Sequence, residues 1–116
     1  MRENTGTLSA KTDWPALLDG ARIVVHLATA ASPRLDQARF GDEIATAESL
    51  GRAANRCGIE RLVLMSSIRA MGENSGEVPF SAETIPTPSD EYGRAKLAIE
   101  AALADAPGVA ILRPPL

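Results

Sequence analysis

A chain of 116 residues, 45% of them hydrophobic, is one domain at most, large enough for a single core and small for a sheet with helices on both faces. Its net charge of -3, with twelve Lys and Arg residues scattered rather than run together, excludes a surface that tracks a phosphate backbone and so argues against nucleic-acid binding. A single cysteine, Cys57, excludes an internal disulfide, one histidine leaves no zinc-type ligand set, and neither a leader-like segment nor a membrane span is visible, so the expectation is a reduced, cytoplasmic protein without a metal.

Asp13 is placed to cap a short helix from Trp14 to Asp19, with Pro15 in its first turn and Gly20 just past its end. The apolar run Ile23-Val24-Val25-His26-Leu27-Ala28 follows, bounded by Gly20 and by small residues from Thr29 to Ser32, and it predicts a strand buried on both faces of a parallel sheet. From Gln37 to Cys57, apolar residues at Phe40, Ile44, Ala47, Leu50, Ala54 and Cys57 fit a long helix with one buried stripe, which Gly58 ends. Arg61 to Ser67 reads as a second strand, with the hydroxyls of Ser66 and Ser67 at its C-terminal end, the edge at which open α/β sheets bind ligands.

Arg69 to Pro88, rich in Gly, Pro, Ser and Glu, has no periodicity, and a loop of that length is usually functional or mobile. Ser89 is the expected N-cap of a further helix, with Asp90 and Glu91 favouring its dipole and Pro107 and Gly108 stopping it. Val109 to Arg113 forms a third expected strand, halted by Pro114 and Pro115. Strands joined by helices imply right-handed crossovers and a parallel sheet. Trp14 is expected to anchor packing, His26 to be a hydrogen-bonded structural histidine, and Cys57 to be a small buried apolar residue. Glu73, Glu77 and Glu83 read as a solvated loop.

Tyr92 and Lys96 stand one turn apart on the last helix and share a face, where the ammonium is expected to lower the phenol's pKa. A serine hydroxyl at the end of the preceding strand can hold the same substrate oxygen, which makes a proton-transfer site for an alcohol. The bland alternative is a tyrosine packed at a helix rim and serines that only cap a loop.

The ordered pieces Val25-His26-Leu27-Ala28, Gly58-Ile59-Glu60-Arg61-Leu62-Val63, Met65-Ser66-Ser67, Pro79-Phe80 with Pro86 and Pro88, Tyr92-Gly93-Arg94-Ala95-Lys96 and Leu112-Arg113-Pro114 decide between these readings. Together they resemble an extended short-chain dehydrogenase/reductase, the NAD-dependent epimerase/dehydratase family, from about Gly6 to Leu116. Ser66-Ser67-Ile68-Arg69-Ala70 with Gly72-Glu73 is most similar to bacterial UDP-hexose and UDP-N-acetylhexosamine 4-epimerases. The resemblance implies a Rossmann-like three-layer α/β fold with a parallel sheet. Residues 1–116 would be a partial NAD(P)-binding domain, lacking the N-terminal Gly-rich βα unit and the C-terminal substrate domain.

By the same resemblance Tyr92 would be the acid/base, Ser67 would share the hydrogen bond to the reacting oxygen, and Lys96 would hold the nicotinamide ribose and keep the tyrosine acidic. NAD would be the cofactor, with NADP as the alternative, and the substrate a nucleotide sugar. Leu27, Ala28 and Thr29 would line the cofactor together with Ser66, Tyr92 and Lys96, and Pro114 and Pro115 would sit beside the nicotinamide carboxamide. Thr7-Leu8 falls where the family commonly has an Asp-Leu or Asp-Ile that reaches the adenine.

Three departures qualify this. No Gly-rich dinucleotide loop occurs within the chain. The family's helix Asn falls near Asp42 or Glu43, with its Gly-Thr at Thr46-Ala47, and Met71 stands where many relatives have an aromatic residue. The expectation is therefore weak or absent NAD binding by the isolated chain, and an unprotected sheet edge that favours self-association, as in a homodimer. Rival expectations are a dehydratase or ketoreductase of the same family, which would use the same Ser, Tyr and Lys, or a non-catalytic dinucleotide sensor or interaction module.

Overall fold

A computed structural model describes residues 7–28 and 37–115, with Gln37 described by its backbone alone. Asp13 caps α1 (Trp14–Leu17) as its position predicts, its carboxylate accepting from the Ala16 amide at 3.3 Å. The helix stops earlier than Asp19, and Gly20, at φ 75°, turns the chain into β1 (Ile23–His26). The 20-residue helix α2 (Gln37–Arg56) ends at Gly58, whose φ of 71° lets the Ile59 amide reach back to the Ala54 carbonyl at 3.2 Å. Then come β2 (Arg61–Met65), a single 3-10 turn (Ile68–Ala70), α3 (Glu91–Leu103) and β3 (Ala110–Leu112).

The strands are shorter than the apolar runs that announced them. Contact between neighbours outlasts the regular ladder, however, because the Ser66 amide donates to the Leu112 carbonyl at 2.7 Å and the Ile68 amide to the Pro114 carbonyl at 3.0 Å. The cap of α3 is Asp90 rather than Ser89. Asp90 takes the extended backbone of a cap, and its carboxylate accepts from the Gly93 amide at 2.7 Å, which satisfies an otherwise open donor of the first turn.

All three strands are parallel in the order β1-β2-β3, with Val24 opposite Leu62, His26 opposite Leu64, and Leu64 opposite Ile111. The core lies on one face of this sheet. Leu62 and Leu64 pack against Ala47, Leu50 and Ala54 of α2 and against Ile99 and Leu103 of α3. Trp14 closes the end of this core as the expected anchor, its indole N–H donating to Ser49 Oγ at 2.7 Å. Cys57 and Ile44, at the margin of the α2 stripe, are only partly buried.

The opposite face contradicts the expectation of a doubly buried first strand. Ile23, Val25 and Leu27 are 59%, 54% and 61% exposed. The reason is geometric: successive side chains alternate between faces, and among the described residues both long helices pack on the side of Leu62 and Leu64. The described residues thus supply the sheet and one helical layer of the three-layer arrangement. Among them no helix is long and apolar enough to cross a membrane. Glu73, Glu77 and Glu83 are solvated, as expected.

Candidate active site

The C-terminal ends of β2 and β3 and the first two turns of α3 converge on one spot. Ser67 ends the strand segment with an extended backbone, is fully buried, and accepts from the Arg69 amide at 3.1 Å, which starts the 3-10 turn. Arg69 then pairs with Asp90 at the start of α3. Gly93 allows the closest part of this approach: a Cβ there would lie 2.3 Å from the Arg69 carbonyl oxygen and 3.0 Å from Pro88 Cβ. Only a glycine admits that packing without displacement of the helix. At the other flank, Arg113 makes a forked pair with Glu100, at 2.9 Å and 2.7 Å, tying the end of β3 to α3.

Held this way, Tyr92 is 3% and Lys96 4% exposed, so the shared face points inward rather than along a rim. Lys96 Nζ lies 5.3 Å from the centroid of the Tyr92 ring, and Phe40 of α2 meets the same ring edge-on at 6.2 Å. The Ser67 side chain comes close enough to the Tyr92 phenol to pull its pKa down. The structure therefore brings Ser67, Tyr92 and Lys96 together as the sequence predicts.

Their electrostatics differ from the expectation. Burial raises the Tyr92 pKa above its ordinary value, outweighing the Ser67 hydroxyl and the Arg69 charge that pull it down, while Glu43 and Asp90 add to the rise. Lys96, with its ammonium over the ring face, is itself pushed toward the neutral form by burial. Glu43 opposes that second shift. The phenol is thus a proton donor at neutral pH, and Ser67 and Arg69 are the groups that ease its ionisation.

The expected cofactor-lining residues distribute unevenly. Ser66 is buried with its hydroxyl lacking a hydrogen-bond partner, whereas Leu27 and Ala28 stand exposed at the end of β1. Pro114 and Pro115 are exposed beside the Ser67 turn, linked to it through the Ile68 amide, and Thr29 lies outside the described residues. Leu8 and Ala28 line an open cleft of about 830 Å³ together with Thr7, Arg39, Glu43 and Thr46. The unsatisfied Ser66 hydroxyl beside Ser67 fits the polar, nicotinamide end of a dinucleotide.

His26 is buried but not as a hydrogen-bonded residue. Its Nε2 has no partner, and burial with the Lys96 charge holds the imidazole below its usual pKa. Among the described residues no group of His, Cys, Asp and Glu is arranged to hold a metal. The residues that sequence reasoning missed are those acting across elements: Gly93 as a spacer, the Arg69–Asp90 and Arg113–Glu100 pairs, and Glu43. Tyr92-Gly93 stood within a quoted motif, and Asp90 was read only for its effect on the helix dipole.

The model of the NAD dependent epimerase/dehydratase family matches residues 2–109. Among solved structures, WbmG of Bordetella bronchiseptica, in complex with NAD and UDP, is 27% identical with a TM-score of 0.73, over 86% of this chain and 33% of that one. UDP-glucuronic acid 4-epimerase from Bacillus cereus, in complex with UDP-glucuronic acid and NAD, is 26% identical with a TM-score of 0.74, over 89% and 35%. MoeE5, in complex with UDP-glucose and NAD, is 25% identical with a TM-score of 0.78, over 95% and 39%. The chain thus spans 33% to 39% of the length of these structures. No curated protein matches it. With a parallel α/β sheet, a Tyr and Lys brought to its C-terminal edge beside Ser67, and a family model matched over nearly its whole length, the chain belongs to the NAD-dependent epimerase/dehydratase family.

Proposed function

We propose that residues 1–116 are part of the NAD(P)-binding domain of a nucleotide-sugar epimerase, of the UDP-hexose or UDP-N-acetylhexosamine 4-epimerase type, with Ser67, Tyr92 and Lys96 as its acid–base site. The observation that carries this reading is the buried Tyr92, with the Ser67 side chain acting on its phenol and the Lys96 ammonium 5.3 Å from its ring. The UDP and UDP-sugar ligands held by similar structures support the substrate class.

The residues divide the work as follows. Tyr92 exchanges a proton with a sugar hydroxyl oxygen, and Ser67 donates to or accepts from the same oxygen, so that the proton moves between pre-aligned groups. Burial keeps Tyr92 protonated at neutral pH, which suits it to donate to a ketone oxygen, while Ser67 and Arg69 lower the cost of the reverse step. The Lys96 ammonium lies deep enough to hold the hydroxyls of a ribose, and Ser66, adjacent in sequence to Ser67, offers an open hydroxyl. NAD, when bound, supplies the hydride acceptor and donor. The segment of Pro114 and Pro115 borders the same spot through its link to Ile68.

The test is Tyr92→Phe in the complete enzyme of which these residues would be a part. Turnover of a UDP-sugar is expected to fall by about 10²- to 10⁴-fold, with NAD still held. Undiminished turnover would contradict the assignment. A dinucleotide sensor would show no turnover with either residue.

A further inference from the structure

Arg69 makes two polar contacts, one with Ser67 and one with the turn that carries Tyr92. Its backbone amide donates to Ser67 Oγ at 3.1 Å, and its guanidinium pairs with the Asp90 carboxylate at the start of α3. Asp90 divides its oxygens between two tasks. Oδ2 takes the Arg69 guanidinium, while Oδ1 accepts from the Gly93 amide at 2.7 Å and so caps the turn on which Tyr92 stands. Gly93 closes the circuit, because its missing Cβ lets α3 pack against the Arg69 carbonyl oxygen. The chain between Met71 and Asp90 contains neither helix nor strand, so the alignment of Ser67 with Tyr92 depends on ties across this gap.

The amide contact has a chemical consequence for Ser67. A hydroxyl carries one proton and two lone pairs, and a lone pair given to the Arg69 amide leaves the Ser67 proton for another acceptor. Ser67 is fully buried and its side chain reaches the Tyr92 phenol, so that acceptor is the phenol or a substrate oxygen beside it. The guanidinium contact lies at an intermediate depth, with the Arg69 and Asp90 side chains 29% and 33% exposed. A charge-assisted pair that is partly shielded from water holds its geometry better than one on the open surface.

We propose that Arg69 is a positioning residue of the acid–base site, holding the Ser67 hydroxyl by its amide and the Tyr92 turn by its pairing with Asp90, so that both hydroxyls face one substrate oxygen. This rests on the reading of Ser67 and Tyr92 as acid–base residues, while their alignment can be read without turnover. A pair that served only the stability of α3 would leave the alignment intact in the folded chain, because the cap needs only the Asp90 oxygen that meets the Gly93 amide. A pair that serves alignment would not. Without it the close approach at Gly93 remains, and that contact sets a distance between the turn and the helix rather than an angle.

The chain has one tyrosine, so the Tyr92 ring resonances are assigned at once. Nuclear Overhauser cross-peaks between the Ser67 β protons and the Tyr92 ε protons report the alignment, with the fixed cross-peak between δ and ε protons of the same ring as reference. Arg69→Met, which keeps the backbone amide and an unbranched stem, is expected to lose these cross-peaks in the folded chain, and Arg69→Lys, which keeps the charge, to recover them in part. Asp90→Ser keeps a capping oxygen for the Gly93 amide but removes the carboxylate, and it is expected to lose them as well. Should Arg69→Met fail to fold, Asp90→Ser reads the same pair from its other side. Cross-peaks at wild-type intensity in either folded variant overturn the proposal, however much stability is lost. In the complete enzyme, Arg69→Met is expected to lower kcat by about tenfold with the KM for a UDP-sugar unchanged. Turnover that Tyr92→Phe abolishes and Arg69→Met leaves intact would likewise overturn the proposal. Turnover that Tyr92→Phe does not diminish would instead sink the functional reading, and the cross-peaks would still decide the role of Arg69.

Discussion

The two faces of the sheet are built from alternate residues of the same strands, yet they end in opposite environments. Leu62, Leu64 and Ile111 lie under α2 and α3, whereas Ile23, Val25 and Leu27 keep more than half of their surface in contact with water. Both sets are apolar. The difference teaches that an unbroken apolar strand records a capacity for burial on two sides, while the burial itself depends on what packs there. It also explains why the site is well formed within this chain. Tyr92, Lys96, Ser67 and Glu43 all belong to the covered side or to the sheet edge that α2 and α3 enclose.

Substitutions can break or sharpen this contrast. The largest effect is expected at Leu64, fully buried between both helices: Leu64→Ala should cost about 2–5 kcal/mol in urea unfolding. Gly93→Ala comes next, at about 1–3 kcal/mol, because its Cβ would meet the Arg69 carbonyl and α3 would have to move. That displacement should also loosen the contact between Tyr92 and Ser67, seen as a change in the Tyr92 titration. If Gly93→Ala were neutral in both assays, the close approach of α3 to the 3-10 turn would not be needed.

A smaller effect depends on pH. Burial holds the folded pKa of His26 below the ordinary 6.5 of an imidazole, so as pH falls below 6.5 the unfolded chain takes up a proton that the folded chain resists. Stability should therefore be full above pH 6.5 and decline as pH falls from there toward the depressed folded value, and His26→Gln should remove that slope. The smallest effect belongs to the open face. Val25→Thr, at a half-exposed edge position, should change stability by no more than about 0.5 kcal/mol. A Val25→Thr cost comparable with that of Leu64→Ala would abolish the contrast between the faces.

Much of the fold was legible because the signals were local. Asp13 caps where a carboxylate before a Pro-containing first turn should, Gly58 ends α2, and the Phe40, Ala47, Leu50 and Ala54 stripe is buried as its spacing predicts. The N-cap of α3 fell one residue from its expected place because Ser89 and Asp90 are both competent caps, and only the folded backbone selects which oxygen meets the Gly93 amide. In the site, the grouping of Ser67, Tyr92 and Lys96 followed from a strand end, a helical spacing and the order of motifs. The sign of the Tyr92 shift did not, because it is set by burial under α2, and burial is a property of the assembled chain. Gly93 and the Arg113–Glu100 pair were hidden for the same reason. Each meets its partner only after folding has brought separate segments together.

The central claim is that Ser67, Tyr92 and Lys96, with Ser66 beside them, form the nicotinamide end of a dinucleotide site. Amide chemical-shift mapping of the 116-residue chain during titration with NAD tests it most directly. Binding is expected to be weak, since no Gly-rich loop within the chain supplies amides to a pyrophosphate, and the shifts are expected to centre on Ser66, Ser67, Tyr92 and Lys96. Shifts that leave these four residues unmoved at millimolar NAD would contradict the account.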